Sequence, residues 1–283
     1  RASTSARDQS WRIGNIELGI SVMAGMGVFR RTRDNKAGSL GCMADTVNQS
    51  LPGKVDGRRA APLRWLFALR CLVCGEAGED GRDLCRACHV GLPWQGMACT
   101  QCALPQAQAG TCAACRQRPP PLAAAHAVFD YAFPLDRLLP RLKFHRDFAA
   151  GRVLSQCMAA RCASLPRPQA IVPIPLHRAR LRQRGYDQAL ELAKPLAAAL
   201  HLPLLADALQ RTKHTTAQSR LEAEARQRNL CNAFRVAGHA PLPAHVVLID
   251  DVMTTGATLH AAARALRDAG VQQVDAWVCA RVA

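Results

Sequence analysis

Eight of the thirteen cysteines fall into four C-x-x-C pairs: Cys71/Cys74, Cys85/Cys88, Cys99/Cys102 and Cys112/Cys115. Nothing else in the chain limits its fold as tightly. Each C-x-x-C turn points two thiols at one spot, and two such turns supply the four soft ligands of a tetrahedral zinc. The intervening text is short and poor in large apolar residues, so it cannot build a core of its own. Metal then has to supply the folding free energy. Sequential pairing gives one zinc to Cys71, Cys74, Cys85 and Cys88, and a second to Cys99, Cys102, Cys112 and Cys115. An interleaved pairing stays open at the level of sequence. A disulfide framework would call for an oxidising compartment and a secretory signal, neither of which is evident. Two zinc sites in a cytoplasmic protein are therefore expected.

The flanks of this module differ from it and from each other. Residues 1–62 are polar and glycine-rich without sustained periodicity, and are expected to be disordered or to lie upstream of the natural start, with Met43 as a candidate initiator. The module occupies 63–118. The proline-rich RQRPPPL, 116–122, reads as a stiff linker. Beyond it, 119–283 alternates strand and helix patterns. AHAVFDYAF (125–133), AIVPIPL (170–176), VVLI (246–249) and VDAWVCARV (274–282) read as strands. Residues 136–163 and 185–200 read as helices, the first broken at Pro140 and Gly151. In the second, Leu190, Ala193, Ala197 and Leu200 are expected to share one face. ATLHAAARALRDA (257–269) is an amphipathic helix closed by Gly270. Strand, helix, strand at these lengths predicts an α/β fold with a largely parallel sheet and helices on both faces. Cys157 and Cys279 sit in apolar patterns and are expected in its core.

The chain is strongly basic, with 37 Lys and Arg against 21 Asp and Glu. Phosphates, nucleic acid or an anionic surface are the partners such a balance suits, with a merely solvated basic surface as the bland alternative. No run is long and apolar enough to span a bilayer, so membrane insertion is not expected.

The stretch VVLIDDVMTTGATL, 246–259, joins a buried-looking strand to two aspartates and then to a loop of hydroxyls and glycine. Ligands of open parallel sheets sit at the carboxyl ends of strands. Backbone N–H groups and the dipole at the following helix start favour an anion. Thr254, Thr255 and Thr258 add hydroxyl donors, and Gly256 lets the backbone approach closely. Asp250 and Asp251 would repel a phosphate but accept hydrogen bonds from a sugar diol. The combination reads as a ribose-phosphate cradle. An ordinary strand-to-helix turn with Asp and Thr caps is the plainer reading, but it does not account for the whole order of residues.

That stretch resembles the PRPP-binding signature of the type I phosphoribosyltransferases. VPIPLHRARLRQRGYDQALELA (172–193), RTKHTTAQSRLEAEARQRNLCNAF (211–234) and LKFHRD (142–147) resemble further blocks of the ComF family, and the four C-x-x-C pairs match its double zinc ribbon. The likeness covers roughly 63–283. It implies a type I phosphoribosyltransferase-like sheet and a phosphoribosyltransferase activity with an unknown acceptor, using PRPP and Mg²⁺. Asp250 and Asp251 would hold the ribose hydroxyls and carry the catalytic role, while Thr254, Thr255, Gly256, Ala257 and Thr258 would hold the 5-phosphate. The Pro173–Leu176 turn corresponds to the pyrophosphate loop. Residues 211–220, with Arg211 and Lys213, correspond to the loop that closes over PRPP. The family is linked to DNA uptake in natural competence or to use of DNA as a nutrient. By that analogy single-stranded DNA and a competence helicase are implied as partners. A non-catalytic DNA-binding adaptor is the other functional class the sequence leaves open.

Overall fold

The computed structural model describes residues 69–212, 233–237 and 241–283. Residues 1–62, with Met43, lie outside these, as do Lys213 and the rest of the 213–220 block.

Two short helices, α1 (Arg86–Val90) and α2 (Ala113–Gln117), belong to the cysteine module. Strand β1 (Ala125–Asp130) follows, then helices α3 (Leu135–His145) and α4 (Phe148–Cys162) and strand β2 (Ala170–Pro173). Helices α5 (Arg178–Arg184) and α6 (Gln188–Leu200) lead to strands β3 (Leu209–Arg211) and β4 (Phe234–Val236). Strand β5 (His245–Met253), helix α7 (Ala257–Asp268) and strand β6 (Gln273–Arg281) close the described chain. Four strands form one parallel sheet in the order β1-β6-β5-β2, and β3 and β4 pair antiparallel apart from it. Strand β5 is central, as its continuous apolar run requires, and β5-α7-β6 is the expected βαβ unit.

One core packs Val247, Ile249, Trp277 and Cys279 against Leu139 and Leu142 of α3, Leu154 and Met158 of α4, and Leu192 and Leu196 of α6. The opposite core packs Val246, Leu248, Ala276 and Val278 against Leu259, Ala262 and Leu266 of α7. The two-residue period of a strand explains this division between faces. Cys157 and Cys279 are fully buried within the first core.

Three local expectations are corrected. The 136–163 helix breaks neither at Pro140 nor at Gly151, which lie inside α3 and α4. It breaks at Arg146, which takes a left-handed conformation (φ 54°), and at Asp147, whose carboxylate accepts the Ala150 N–H and restarts the helix. Gly151 serves close packing instead, because a Cβ there would sit 2.9 Å from Leu142 Cδ1. The second helix begins at Gln188 rather than 185, because Gly185 has φ 85° and Asp187 is the N-cap. Its buried apolar residues are Ala189, Leu192, Ala193, Leu196 and Ala197, with Leu200 half-buried against the same core and Leu190 at the margin.

The cysteine module lies along the outer edge of β1. The Gln95 N–H bonds the Val128 carbonyl at 2.9 Å, the Asp130 N–H bonds the Pro93 carbonyl at 2.9 Å, and the Ala125 N–H bonds the Thr100 carbonyl at 2.9 Å. Trp94 packs on Phe129 at 4.7 Å between ring centroids. An edge strand left open would template pairing with other chains, and the module covers it.

Candidate functional site

Asp250 and Asp251 occupy the last part of β5, beyond the final β2 pairing of Pro173 with Ile249. Although successive residues of a strand alternate faces, the two carboxyl groups stay within electrostatic and hydrogen-bonding reach of each other. Asp251 is buried and ion-paired to Lys143 at the end of α3, with Nζ to Oδ2 at 2.8 Å. Asp250 Oδ1 accepts the Asp251 N–H at 2.9 Å. Burial, and then the adjacent Asp251 charge, push the Asp250 carboxyl well above the usual range, against the opposing pull of Lys143. The ionised form of Asp250 is thus penalised in the fold.

The loop that follows exposes Thr254 and Thr255 and turns at Gly256 (φ 75°) into α7. The left-handed turn favours glycine, and a Cβ there would also press on the movable Met253 Cε at 2.6 Å and on His260 Nε2 at 3.0 Å. The Ala257 N–H reaches Thr255 Oγ1 at 3.4 Å. Burial, then Arg264, lower the His260 pKa to about 4, so its ring is neutral near pH 7. Its buried Nε2 has no hydrogen-bond partner among the described residues. The loop therefore combines exposed hydroxyls, the amino end of a 12-residue helix and close backbone access.

Asp187 joins this site from α6, a role the sequence reading did not assign. Its Oδ2 accepts the Leu176 N–H at 2.6 Å while Oδ1 caps Ala189 and Leu190, fixing the Pro173–Leu176 turn to the start of α6. Burial raises the Asp187 pKa, backbone N–H groups oppose that, and the Asp251 charge raises it further. Arg211 of β3 stacks over Phe234 at 5.4 Å and lies within the electrostatic reach of Arg180, Asp250 and Asp187. Burial and then Arg180 lower its pKa. An Asp just ahead of a helical pattern was a legible signal for Asp187. Lys143 had no such local signal, because its partner is 108 residues away.

The eight paired cysteines form two tetrads in the sequential pairing, each with sulfurs within 4.8 Å of one another. Tetrahedral zinc with Zn–S bonds near 2.3 Å would set neighbouring sulfurs about 3.8 Å apart. The Cys74–Cys85 and Cys102–Cys112 sulfurs, at 3.6 and 3.8 Å, already meet that spacing. Burial pushes the Cys71 and Cys99 thiols up, but neighbouring backbone N–H groups prevail and bring each to about 6. Each tetrad thus holds one sulfur ready as a thiolate. Arg281 connects the second tetrad to the acidic site, because Nε donates to the Cys102 carbonyl at 3.0 Å and Nη1 to the Met253 carbonyl at 3.2 Å.

Comparison with known proteins agrees with this architecture. A double zinc ribbon domain model matches residues 62–116, and a phosphoribosyl transferase domain model matches 187–283. The DNA utilization protein YhgH of Escherichia coli K12 is 37% identical over 218 residues, covering 75% of this chain and 89% of that protein. Competence protein F of Haemophilus influenzae is 34% identical over 227 residues, 76% of this chain and 98% of its own. Competence protein ComFC of Bacillus subtilis is 30% identical over 226 residues, 72% and 91% respectively. A solved Helicobacter pylori xanthine-guanine-hypoxanthine phosphoribosyltransferase aligns over 47% of this chain and 83% of its own, with 12% identity and a TM-score of 0.31, so no residue correspondence is taken from it. With two tetracysteine sites ahead of a parallel sheet that ends in an acidic pair and a glycine-opened helix, this chain belongs to the ComF family of competence and DNA utilization proteins.

Proposed function

We propose that the chain binds PRPP with Mg²⁺ at Asp250–Thr258 and acts as a phosphoribosyltransferase in handling single-stranded DNA. The module at 63–118 would serve as scaffold and the part at 119–283 as the transferase. In this reading the ribose 2- and 3-hydroxyls donate to Asp250 and Asp251. The 5-phosphate lies against the N–H groups at the start of α7 and the hydroxyls of Thr254, Thr255 and Thr258. The Pro173–Leu176 turn, held by Asp187, faces the pyrophosphate, with Arg211 and Lys213 supplying positive charge. The acceptor forms its bond to the anomeric carbon as the bond to pyrophosphate breaks, and no side-chain nucleophile is required. Positioning and charge stabilisation carry the step. The donor set suits Mg²⁺: Asp250 and Asp251 would hold it, which would relieve the penalty on the Asp250 carboxylate, and it would supply positive charge for the leaving pyrophosphate.

The observation that carries this reading is the coupled carboxylate pair just ahead of the Gly256 turn. A sugar diol has a use for two carboxylates, whereas a DNA backbone has none. The non-catalytic adaptor, gripping DNA with the same basic residues, leaves the penalised Asp250 without a purpose. Relatives named for competence and DNA utilization support the DNA setting; a helicase partner and a cytoplasmic place belong to the proposal by analogy alone. No helix among the described residues is long and apolar enough to cross a membrane.

Thermal melting distinguishes a ribose-phosphate site from a mere anion hole. PRPP with Mg²⁺ should raise the melting temperature well beyond inorganic pyrophosphate or sulfate at equal concentration. Equal shifts with all three would remove the diol from the account.

A further inference from the structure

A groove of about 360 Å³ opens beside the acidic site, lined by Lys143, Phe144, Arg146, Arg180, Gln183, Arg184 and Tyr186. Its lining holds four cationic side chains and no carboxylate. The spacing of the α5 arginines explains which of them contribute. Residues four apart share a helix face, so Arg180 and Arg184 line the groove while Arg178 and Arg182 do not. Aromatic rings accompany the charge. Phe144 is 65% exposed and carries the Arg184 guanidinium 5.5 Å above its ring, and Phe148, 50% exposed, packs edge-on against Tyr186 at 5.3 Å. Exposed aromatics beside a cationic track are poorly explained by a free phosphate, which has nothing to stack on them. A duplex hides the faces of its bases. A single strand offers both a phosphate backbone and open base faces.

We infer that this groove between the end of α3 and α5 is the binding track for a single nucleic-acid strand, and that Lys143 couples it to the acidic pair. Lys143 lines the groove and also holds Asp251 at 2.8 Å. A strand phosphate that draws Lys143 toward the groove loosens its hold on Asp251. A diol that donates to Asp251 weakens the carboxylate's claim on Lys143. Each ligand then favours the other, and by linkage the effect is reciprocal. The coupling rests on the ribose-phosphate reading; the track itself does not.

The test is fluorescence anisotropy of a labelled oligothymidylate titrated with zinc-loaded full-length protein. Phe144→Ala with Arg180→Ala should weaken binding about tenfold or more. The control pair Arg178→Ala with Arg182→Ala should stay within about twofold. A duplex of equal length should bind more weakly. PRPP with Mg²⁺ should tighten strand binding roughly fivefold, and Lys143→Met should abolish that gain. Equal losses in the groove and control variants would reduce the groove to diffuse surface charge and overturn the track. If PRPP raises the melting temperature yet leaves strand affinity unchanged, the coupling fails while the ribose-phosphate site stands. If PRPP neither binds nor tightens the strand, both the coupling and that site fall, and the groove variants alone decide the track.

Discussion

Between residues 69 and 118 the buried apolar groups are few: Leu84, Leu92, Ala103 and the cysteines Cys71, Cys99 and Cys115. In the sheet, by contrast, β5 and β6 bury almost every side chain on both faces. One region is organised around sulfur tetrads and the other around packed aliphatics. Yet the metal-type region is not independent of the core-type region. Leu84 and Leu92 join the core under α3, α4 and α6, whereas Ala103 joins the core under α7. The two tetrads thus bracket the β1 edge, one toward each face. Asp83 strengthens the attachment through its ion pair with Arg152 of α4, as does the Arg141 guanidinium through the Leu72 carbonyl at 3.0 Å. The lesson is that zinc in this fold replaces a missing core locally and also closes the open edge of a larger sheet.

The strongest way to break that comparison is to remove the metal. Structural zinc contributes on the order of 10 kcal/mol to folding a module of this kind. Because the module shares both cores, chelation should move a single calorimetric transition to much lower temperature. A sheet transition that stays in place after stripping would show the two regions to be independent. A smaller effect is expected at the Arg281 link. Arg281→Met leaves the Cys102 and Met253 carbonyls without its donors, and should cost about 1–3 kcal/mol in urea unfolding. It should also weaken PRPP binding, because Met253 precedes the Thr254–Thr258 loop. Unchanged PRPP affinity would mean that the second tetrad does not support the site.

The smallest effect concerns Asp250 and has the opposite sign. Its folded-state pKa is raised, so the folded protein keeps a proton that the unfolded chain releases near pH 4. The favourable contribution is complete below that pH and is lost as pH rises through the folded value. Asp250→Asn should therefore stabilise the ligand-free protein at neutral pH by roughly 0.5–2 kcal/mol and flatten its stability profile above about pH 4. A destabilised variant would show that Asp250 contributes to the fold rather than taxing it.

Much of this was legible in residues with local signals. The C-x-x-C spacing announced both tetrads, and the apolar run of β5 announced a central strand. The order Asp250, Asp251, Thr254, Thr255, Gly256, Thr258 announced the loop. What escaped the sequence depends on distant partners. Lys143 acquires meaning only from Asp251. Proline and glycine rules misplaced the break between α3 and α4, because Gly151 answers to Leu142 rather than to the helix's own propensity. Pairing between tetrads required geometry, since spacing alone admits more than one arrangement. The groove arises from two helices whose residues are some forty positions apart in the chain.

The central claim is that Asp250 and Asp251 bind the sugar of a ribose phosphate. It is tested most directly by isothermal titration of PRPP with Mg²⁺ into the zinc-loaded protein and into its Asp250→Asn, Asp251→Asn variant. Binding in the micromolar range that disappears in the folded variant is the predicted result. Absence of binding by the native chain, or equal affinity in the variant, would contradict it and leave the DNA-binding adaptor as the better account.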